Sequence, residues 1–254
     1  MMDLRSDSSF SGMVPLVLHK IVRDKPVEWE DVHENEFREL LDFISHRWAV
    51  FRPDVRGQEA RWLLTFDDGN ASDYEVVFPL LIEKRIKATF FVIANKIGTR
   101  GYVDRFQIRE MHCHGMCIGS HSWSHRRMTA LSKDEVVREF SESKQQLENF
   151  LGAQVEAFSY PFGECSSQLH QLAFAAGYRY LCTSDHGMVS ASSHVIPRNS
   201  IHSAMGWNEI AKVVEPTSAT RFRWLLEDLV KRTVKASVGH ERYMRWRNRA
   251  LGDE

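Results

Sequence analysis

Apolar segments with the composition of buried strands alternate with amphipathic segments along most of this chain, and this order restricts the fold more than any other feature. Three of the strand-like segments are RWLLTFDDG (61–69), KATFFVIANKIG (87–98) and VEAFSYPFG (155–163). Between them, apolar residues recur at helical spacing, most clearly in SKDEVVREFSESKQQLENFLG (132–152). A repeated strand–helix order predicts an α/β protein with a mostly parallel sheet, either open or closed into a barrel.

The segment 132–152 also contains the signals that start and stop a helix. Ser132 is followed three residues later by Glu135, which is the pattern of a capping box, and Gly152 provides a residue suited to end the helix. We therefore predict a helix that begins directly after Ser132 and ends at Gly152.

The length and the charge of the chain narrow the classes of function. With 254 residues, the chain is long enough for one large α/β domain with a sizeable core. Its formal net charge of -1 provides no strong field that would attract nucleic acid, so we expect no nucleic-acid partner. The four cysteines lack a dense framework pattern, and we expect reduced thiols.

Acidic and imidazole side chains follow several of the predicted strands. Asp67 and Asp68 end one strand, and His121 and His125 follow another in the segment GSHSWSH. Because sites in parallel α/β folds form where strands end, we expect these side chains to converge. Each motif alone has an ordinary explanation, since Asp-Asp-Gly is good turn chemistry and two histidines four residues apart also occur on surfaces.

Two imidazoles and one carboxylate form a common catalytic zinc set. A divalent cation would neutralise one of the two adjacent aspartates and leave the other close by as a base, since neighbouring residues at a strand end point in different directions. The residues themselves therefore predict a metal-dependent hydrolytic site.

Four motifs resemble, in order and spacing, those of the polysaccharide deacetylase family, the NodB-homology domain of carbohydrate esterase family four. They are TFDDG (65–69), HSWSH (121–125), FSYPFG (158–163) and IPRNSIH (196–202). The similarity extends almost continuously from about residue 14 to about residue 202. It implies a distorted (β/α) barrel of the NodB-homology type, with a C-terminal helical extension in this chain, and removal of an N-acetyl or related acyl group from an amino sugar.

The resemblance also implies roles for individual residues. Asp67 would be the general base, and a divalent ion, with zinc expected, would be bound by Asp68, His121 and His125. The backbone N–H of Phe162 would stabilise the developing oxyanion, and His202 would protonate the leaving amine. Trp123, Tyr160 and His19 are candidates for substrate contact, although Trp123 and His19 have alternative roles in packing.

Ser159 departs from the family pattern, because many members have an arginine there that orients the catalytic aspartate, and the family's Asp and Trp motif beside the acid histidine is not evident in this chain. We keep two alternatives to a carbohydrate deacetylase. One is a catalytically impaired carbohydrate-binding protein of the same fold, and the other is a deacylase of a small non-sugar amide. The expected substrate is an amino sugar in an oligosaccharide, a polysaccharide, its precursor or a glycolipid.

The chain divides into a flexible N-terminal segment (1–12), a catalytic domain (13–215) and a helical, basic extension (216–254). In the extension, one helical face carries large apolar residues: Phe222, Leu225, Leu226, Leu229 and Val230. This face predicts a helix docked on the barrel, and the alternative is a peripheral contact with a membrane. The N-terminal residues lack an apolar stretch behind a basic one, so we expect a cytoplasmic protein, peripheral to the inner membrane if the extension binds lipid.

Overall fold

A computed structural model of the chain describes residues 12–44, 48–49, 62–190 and 192–238. The described residues form eleven strands: β1 (Val14–Leu18), β2 (Lys20–Val22), β3 (Asp31–His33), β4 (Trp48–Ala49), β5 (Trp62–Phe66), β6 (Thr89–Val92), β7 (Cys117–Ser120), β8 (Ala157–Ser159), β9 (Tyr180–Cys182), β10 (Val195–Ile196) and β11 (Asn199–Ser200). They also form seven α-helices: α1 (Glu34–Ile44), α2 (Phe78–Lys84), α3 (Arg105–Cys113), α4 (Lys133–Leu151), α5 (Ser167–Ala175), α6 (Trp207–Val214) and α7 (Ser218–Val238). The predicted alternation of strands and helices is therefore confirmed.

Nine of the described strands belong to one sheet in which every pairing is parallel. The order is β10-β9-β8-β7-β6-β5-β1-β11, and β4 adds to β5 beside this path. Only residues 197 and 198 separate the two strands at the ends of the path, so one short segment pairs with both edges of the sheet. This arrangement closes the sheet into the expected distorted barrel.

The strands are apolar along their whole length because both faces of the sheet are covered. Every residue of β1, β5 and β6 is buried, as expected for a parallel sheet between helices and a filled interior. Phe66 stacks on Phe90 with ring centroids 5.0 Å apart, which links neighbouring strands β5 and β6. The core thus holds the strand ends, and the loops after them, in fixed positions.

Helix α4 follows its sequence signals. The Ser132 side chain accepts a hydrogen bond from the Glu135 backbone N–H, and the Glu135 carboxylate accepts one from the Ser132 N–H, so the predicted capping box is present. Gly152 ends the helix in the left-handed conformation, with φ of 65°. The predicted start and end are both confirmed.

Most of the predicted N-terminal segment, and residues 239–254 of the extension, lie outside the described residues. The division of the chain at residues 12 and 215 stays a prediction. The described part of the extension is the helix α7, but the predicted docking face is exposed, and Trp224 on the opposite side of the helix is buried instead. Within the described ranges, no helix has the length and apolar character that crossing a bilayer requires.

Candidate metal and catalytic centre

The strands bring the predicted site residues to the carboxyl end of the barrel. Asp67 and Asp68 directly follow β5, and His121 follows β7. Ser159 is the last residue of β8, and Arg198 follows β10. Because all these strands are parallel, residues up to 131 positions apart in the sequence meet at one edge of the sheet.

Three ligand atoms form a nearly equilateral triangle. Asp68 Oδ1 lies 3.4 Å from the Nε2 atoms of both His121 and His125, and these two nitrogens are 3.2 Å apart. In a tetrahedral site with metal–ligand bonds of about 2.0 to 2.1 Å, ligand atoms lie about 3.3 to 3.4 Å from one another. Within the described part of the chain, Asp68 Oδ1 is also buried and accepts no hydrogen bond. These residues therefore fit a divalent cation such as zinc.

Hydrogen bonds around the triangle orient the two imidazoles. His121 Nδ1 lies 2.9 Å from the Ser159 carbonyl oxygen. Because a carbonyl can only accept, Nδ1 must carry the proton, and Nε2 is left with its lone pair for a metal. Burial, followed by the neighbouring His121 imidazole, lowers the pKa of His125 to about 4, so His125 is neutral at pH 7 as a metal ligand must be.

The loop between the two histidines is held by Glu139 of α4, a residue that the sequence analysis missed. One Glu139 carboxylate oxygen accepts hydrogen bonds of 2.9 Å from the backbone N–H groups of Trp123 and Ser124. Glu139 is buried, so these bonds are shielded from water. This contact fixes the spacing between His121 and His125 from outside the motif.

Unusual backbone conformations concentrate at the site. Among the described residues, five that are not glycine have a positive φ angle, and four of them are Asp68, Ser122, His125 and Phe162. Such conformations cost roughly 1 to 3 kcal/mol each and persist where the surrounding structure enforces them. Gly69 is required beside them, because it has φ of +73° and a Cβ there would lie 3.0 Å from Val92.

Arg198 holds Asp67 and was not predicted from the sequence. Its guanidinium donates two hydrogen bonds of 2.7 Å to the two carboxylate oxygens of Asp67 and a third, also 2.7 Å, to Ser159 Oγ. Ser159 Oγ in turn donates to Asp67 Oδ2 at 2.9 Å. Arg198, which lies between β10 and β11, thus supplies the guanidinium that many family members have at position 159. Its only signal in the sequence was its place in the motif IPRNSIH, shortly after a strand.

This pairing controls the charge of Asp67. Burial alone would raise the pKa of Asp67, but the charge and hydrogen bonds of Arg198, with the charge of His121, hold that pKa well below its ordinary value. Asp67 is therefore a carboxylate throughout the physiological pH range. Its Oδ2 atom is 4.0 Å from His121 Nε2, which places the charge beside the metal-binding triangle.

His19 lies close to Asp68. It follows β1, and its Nε2 atom is 3.8 Å from a carboxylate oxygen of Glu30. One ligand atom from each of His19, Glu30 and Asp68 lies within 4.8 Å of the other two. The structure therefore brings His19 to the site.

The remaining candidates are placed differently. The ring of Phe162 packs against His125, with centroids 4.8 Å apart, so the turn with the proposed oxyanion donor adjoins the triangle. Trp123 is half-buried, and its proposed contact with a sugar stays a prediction. The ring of His202 stacks on Trp29 at 4.0 Å, and its role as an acid also stays a prediction.

The side chain of Tyr160 does not lie at the site. It is 1% exposed, its ring packs edge-on against Phe158, and its hydroxyl lies 2.9 Å from His170 Nδ1. Burial raises the pKa of its hydroxyl. The predicted contact of Tyr160 with substrate is therefore wrong. Tyr160 directly follows the strand β8, and its side chain points into the core, where it packs.

Comparisons with known proteins gave matches both in sequence and in fold. The family model for polysaccharide deacetylase matches residues 54–181. YxkH of Bacillus subtilis (strain 168), whose name classes it with the polysaccharide deacetylases, is 29% identical over 159 residues, which cover 63% of this chain and 56% of YxkH. Chitin deacetylase 1 of Cryptococcus neoformans is 30% identical over 46% of this chain and 24% of its own length. The chain therefore spans about half or less of these relatives.

The fold has counterparts among solved structures. The deacetylase PplD of Streptococcus pyogenes, solved in complex with acetate, superposes with a TM-score of 0.73 at 24% identity. The superposition covers 81% of this chain and 99% of PplD. At this level of identity, the similarity shows a shared fold.

Proposed function

The chain belongs to the polysaccharide deacetylase family, and we propose that it is a metal-dependent hydrolase that removes an N-acetyl or related acyl group from an amino sugar. The substrate class is an oligosaccharide, a polysaccharide, its precursor or a glycolipid. One observation carries the proposal: a triangle of one carboxylate and two imidazole ligand atoms, 3.2 to 3.4 Å apart, lies beside a carboxylate held ionised by a buried arginine. The chitin deacetylase name of one relative supports the substrate class.

Asp68, His121 and His125 would hold the cation, and their donor set suits zinc. When bound, the ion supplies Lewis-acid activation of the scissile amide and of water. The chain's own residues prepare for this role in advance, because Ser159 orients His121 and the low pKa of His125 keeps that ligand neutral.

Asp67 would act as the general base. It is ionised, its position is fixed by Arg198 and Ser159, and its carboxylate adjoins the metal-binding triangle. Asp67 Oδ2 accepts from both Arg198 and Ser159, whereas Oδ1 accepts from Arg198 alone, so Oδ1 keeps acceptor capacity for the proton of an attacking water. The backbone N–H of Phe162, in the turn that packs on His125, would donate to the developing oxyanion.

We propose His19 as a second candidate, beside His202, for the protonation of the leaving amine. The proposal rests on the position of His19, within 4.8 Å of Asp68 and 3.8 Å from Glu30. His202, the candidate from the sequence, packs on Trp29. Substituting each histidine by asparagine separates the two: a larger loss of kcat in His19→Asn than in His202→Asn supports His19, and the reverse order supports His202.

The alternative of an inactive sugar-binding protein was motivated in part by Ser159. Arg198 removes that motive, because a guanidinium does reach Asp67 and bonds to both of its oxygens. The geometry therefore favours turnover over simple binding.

The decisive experiment combines metal analysis with acetate release. We expect purified protein, stripped with EDTA and reloaded, to bind one zinc and to release acetate from N-acetylglucosamine oligomers. Asp67→Asn should keep the zinc and lose acetate release by at least a hundredfold, since general-base catalysis contributes about 10²- to 10⁴-fold.

His121→Ala should lose both the zinc and the activity, whereas His194→Ala, an exposed histidine outside the site, is the matched control and should keep both. If the protein binds one zinc but releases no acetate from any N-acetylglucosamine oligomer, the result would favour the alternative of an inactive sugar-binding protein. Activity that persists in the zinc-free enzyme would overturn the metal dependence.

A further inference from the structure

The helix α7 presents a large apolar face to solvent. Its five members, at helical spacing i, i+3, i+4, i+7 and i+8, are between 47% and 70% exposed: Phe222, Leu225, Leu226, Leu229 and Val230. Single apolar residues are common on protein surfaces, whereas a continuous exposed face of five large apolar residues is not. The exposed side chains lie along one side of the helix, the geometry of an amphipathic helix that lies flat on a surface.

The opposite side of α7 is anchored to the barrel. Trp224 is 4% exposed and stacks on His186, with ring centroids 5.7 Å apart. Asp228 accepts a hydrogen bond of 2.9 Å from the His186 backbone N–H, and its other oxygen lies 2.9 Å from His186 Nδ1. These contacts with His186 fix the rotation of the helix about its axis, and the apolar face therefore points toward solvent.

The charges of α7 favour an anionic partner. The helix has five Lys or Arg residues and two acidic residues, and residues 239–249 add four arginines and one glutamate, whereas the whole chain has 33 basic and 34 acidic residues. Both acids of the helix already have partners, since Asp228 bonds to His186 and Glu227 lies 2.9 Å from Arg223. The exposed Arg221 and Arg223 flank the apolar face on its two sides, at helical angles of roughly 100° from Phe222.

We propose that α7 docks the protein on the surface of a membrane that contains anionic lipid, with its apolar face in the acyl boundary and its arginines at the headgroups. A cavity of about 520 Å³, lined in part by Phe222, Leu225 and Met188, adjoins this face and adds apolar surface for lipid chains. A second copy of the chain is a poorer occupant, because pairing two such faces would bring the basic helices together.

The segment that leads into α7 lies at the end of the barrel opposite the catalytic centre. Trp62, at the start of β5, donates a hydrogen bond of 2.9 Å to the Val214 carbonyl just before α7, which places this part of the chain at the amino ends of the strands. Asp67 and His121 lie at the carboxyl ends. Membrane binding and turnover of a soluble substrate are therefore separate properties that can be tested independently.

The test is sedimentation of the full-length protein with vesicles of phosphatidylcholine, with or without 30% phosphatidylglycerol. We expect binding to the anionic vesicles, at least tenfold weaker binding to the neutral ones, and a marked loss when NaCl rises from 0.1 to 0.5 M. The variant Leu225→Glu/Leu229→Glu should lower binding at least tenfold with unchanged circular dichroism, because both side chains are exposed.

Phe106→Glu is the matched control, since Phe106 is 67% exposed on α3 and should not contribute. Equal partitioning of the native protein and the double variant would overturn the proposal. So would a concentration-dependent dimer that the double variant abolishes in the absence of vesicle binding, because that result assigns the face to a second copy. Acetate release from soluble oligomers should be unchanged in the double variant, so a failure here leaves the proposed hydrolase untouched.

Discussion

Replacing Arg198 by methionine tests the electrostatic support of the catalytic aspartate. Arg198 is 1% exposed, and its guanidinium donates to Asp67, Ser159 and Thr65. Methionine has a long, unbranched side chain without charge, so the substitution leaves the Asp67 carboxylate buried without its guanidinium partner. Removal of one partner from a buried ion pair costs about 3 to 5 kcal/mol. We expect the free energy of unfolding at pH 7 to fall by about that amount.

The pH dependence follows from the pKa of Asp67. In the native protein this pKa is held below the ordinary value of 3.8, so the pair contributes stability that is present above pH 3.8 and is lost as the pH falls toward the lowered pKa. In Arg198→Met, burial is no longer opposed by the guanidinium and raises the pKa. The variant then loses stability as the pH rises above about 4, so its deficit relative to the native protein should grow between pH 4.5 and pH 7.

A double-mutant cycle separates this effect from a simple packing defect. Asp67→Asn removes the carboxylate charge, so Arg198→Met should cost much less in the Asp67→Asn background, with a coupling energy of about 2 kcal/mol or more. The measurement is guanidinium chloride unfolding in EDTA, followed by tryptophan fluorescence and circular dichroism. Arg179→Met, which removes a half-exposed arginine 3.8 Å from Glu156, is the control and should cost about 1 kcal/mol or less.

Additive effects of the two substitutions, within about 0.5 kcal/mol, would contradict an electrostatic role of Arg198. A deficit in Arg198→Met that is constant between pH 4.5 and pH 7 would be equally damaging. Either result would mean that Arg198 contributes by filling space, with its charge unimportant for Asp67.

Three further predictions concern other parts of the molecule. Burial, then the charges of Asp68 and Asp67, raises the pKa of Asp73, and the backbone N–H of Asn70 opposes this shift only in part. The native protein should therefore lose stability as the pH rises above about 4, and Asp73→Asn should unfold at higher denaturant concentration at pH 7; an equal or lower midpoint would contradict this. Zinc at a hundredfold excess over its Kd should raise the free energy of unfolding by about 2.7 kcal/mol, and calorimetry should show no such gain in Asp68→Asn. Ser132→Ala removes the N-cap of α4 and should cost about 1 kcal/mol in chemical unfolding, whereas the same change at the exposed, mid-helix Ser141 should cost less than half of that.

Local signals predicted the elements of the fold well. Apolar runs became β5, β6 and β8, and the capping box at Ser132 with Gly152 marked both ends of α4. These features depend on neighbouring residues, so the sequence contains all the information that they require. The small strands β2 and β3 and the helix α6 were not predicted, because short elements owe their stability to tertiary contacts.

The catalytic centre was predicted in part. Asp67, Asp68, His121 and His125 occupy motifs at strand ends, and the parallel sheet explains why they meet. Arg198 could not be assigned from the sequence, since nothing near residue 198 indicates a bond to a carboxylate 131 positions earlier. Tyr160 was misplaced for a related reason: its motif marks a turn next to the site, but only packing determines that its ring enters the core.

The sequence by itself determined the alternation of strands and helices, the order of the motifs and the amphipathic character of α7, because each is a property of residues close together in the chain. Tertiary structure alone decided which guanidinium neutralises Asp67 and which side of α7 faces solvent. The barrel closes through one segment that pairs with both sheet edges, and this closure inserts Arg198 beside β5. The rotation of α7 likewise depends on Trp224 and Asp228 finding His186, a contact between residues about 40 positions apart that no local pattern records.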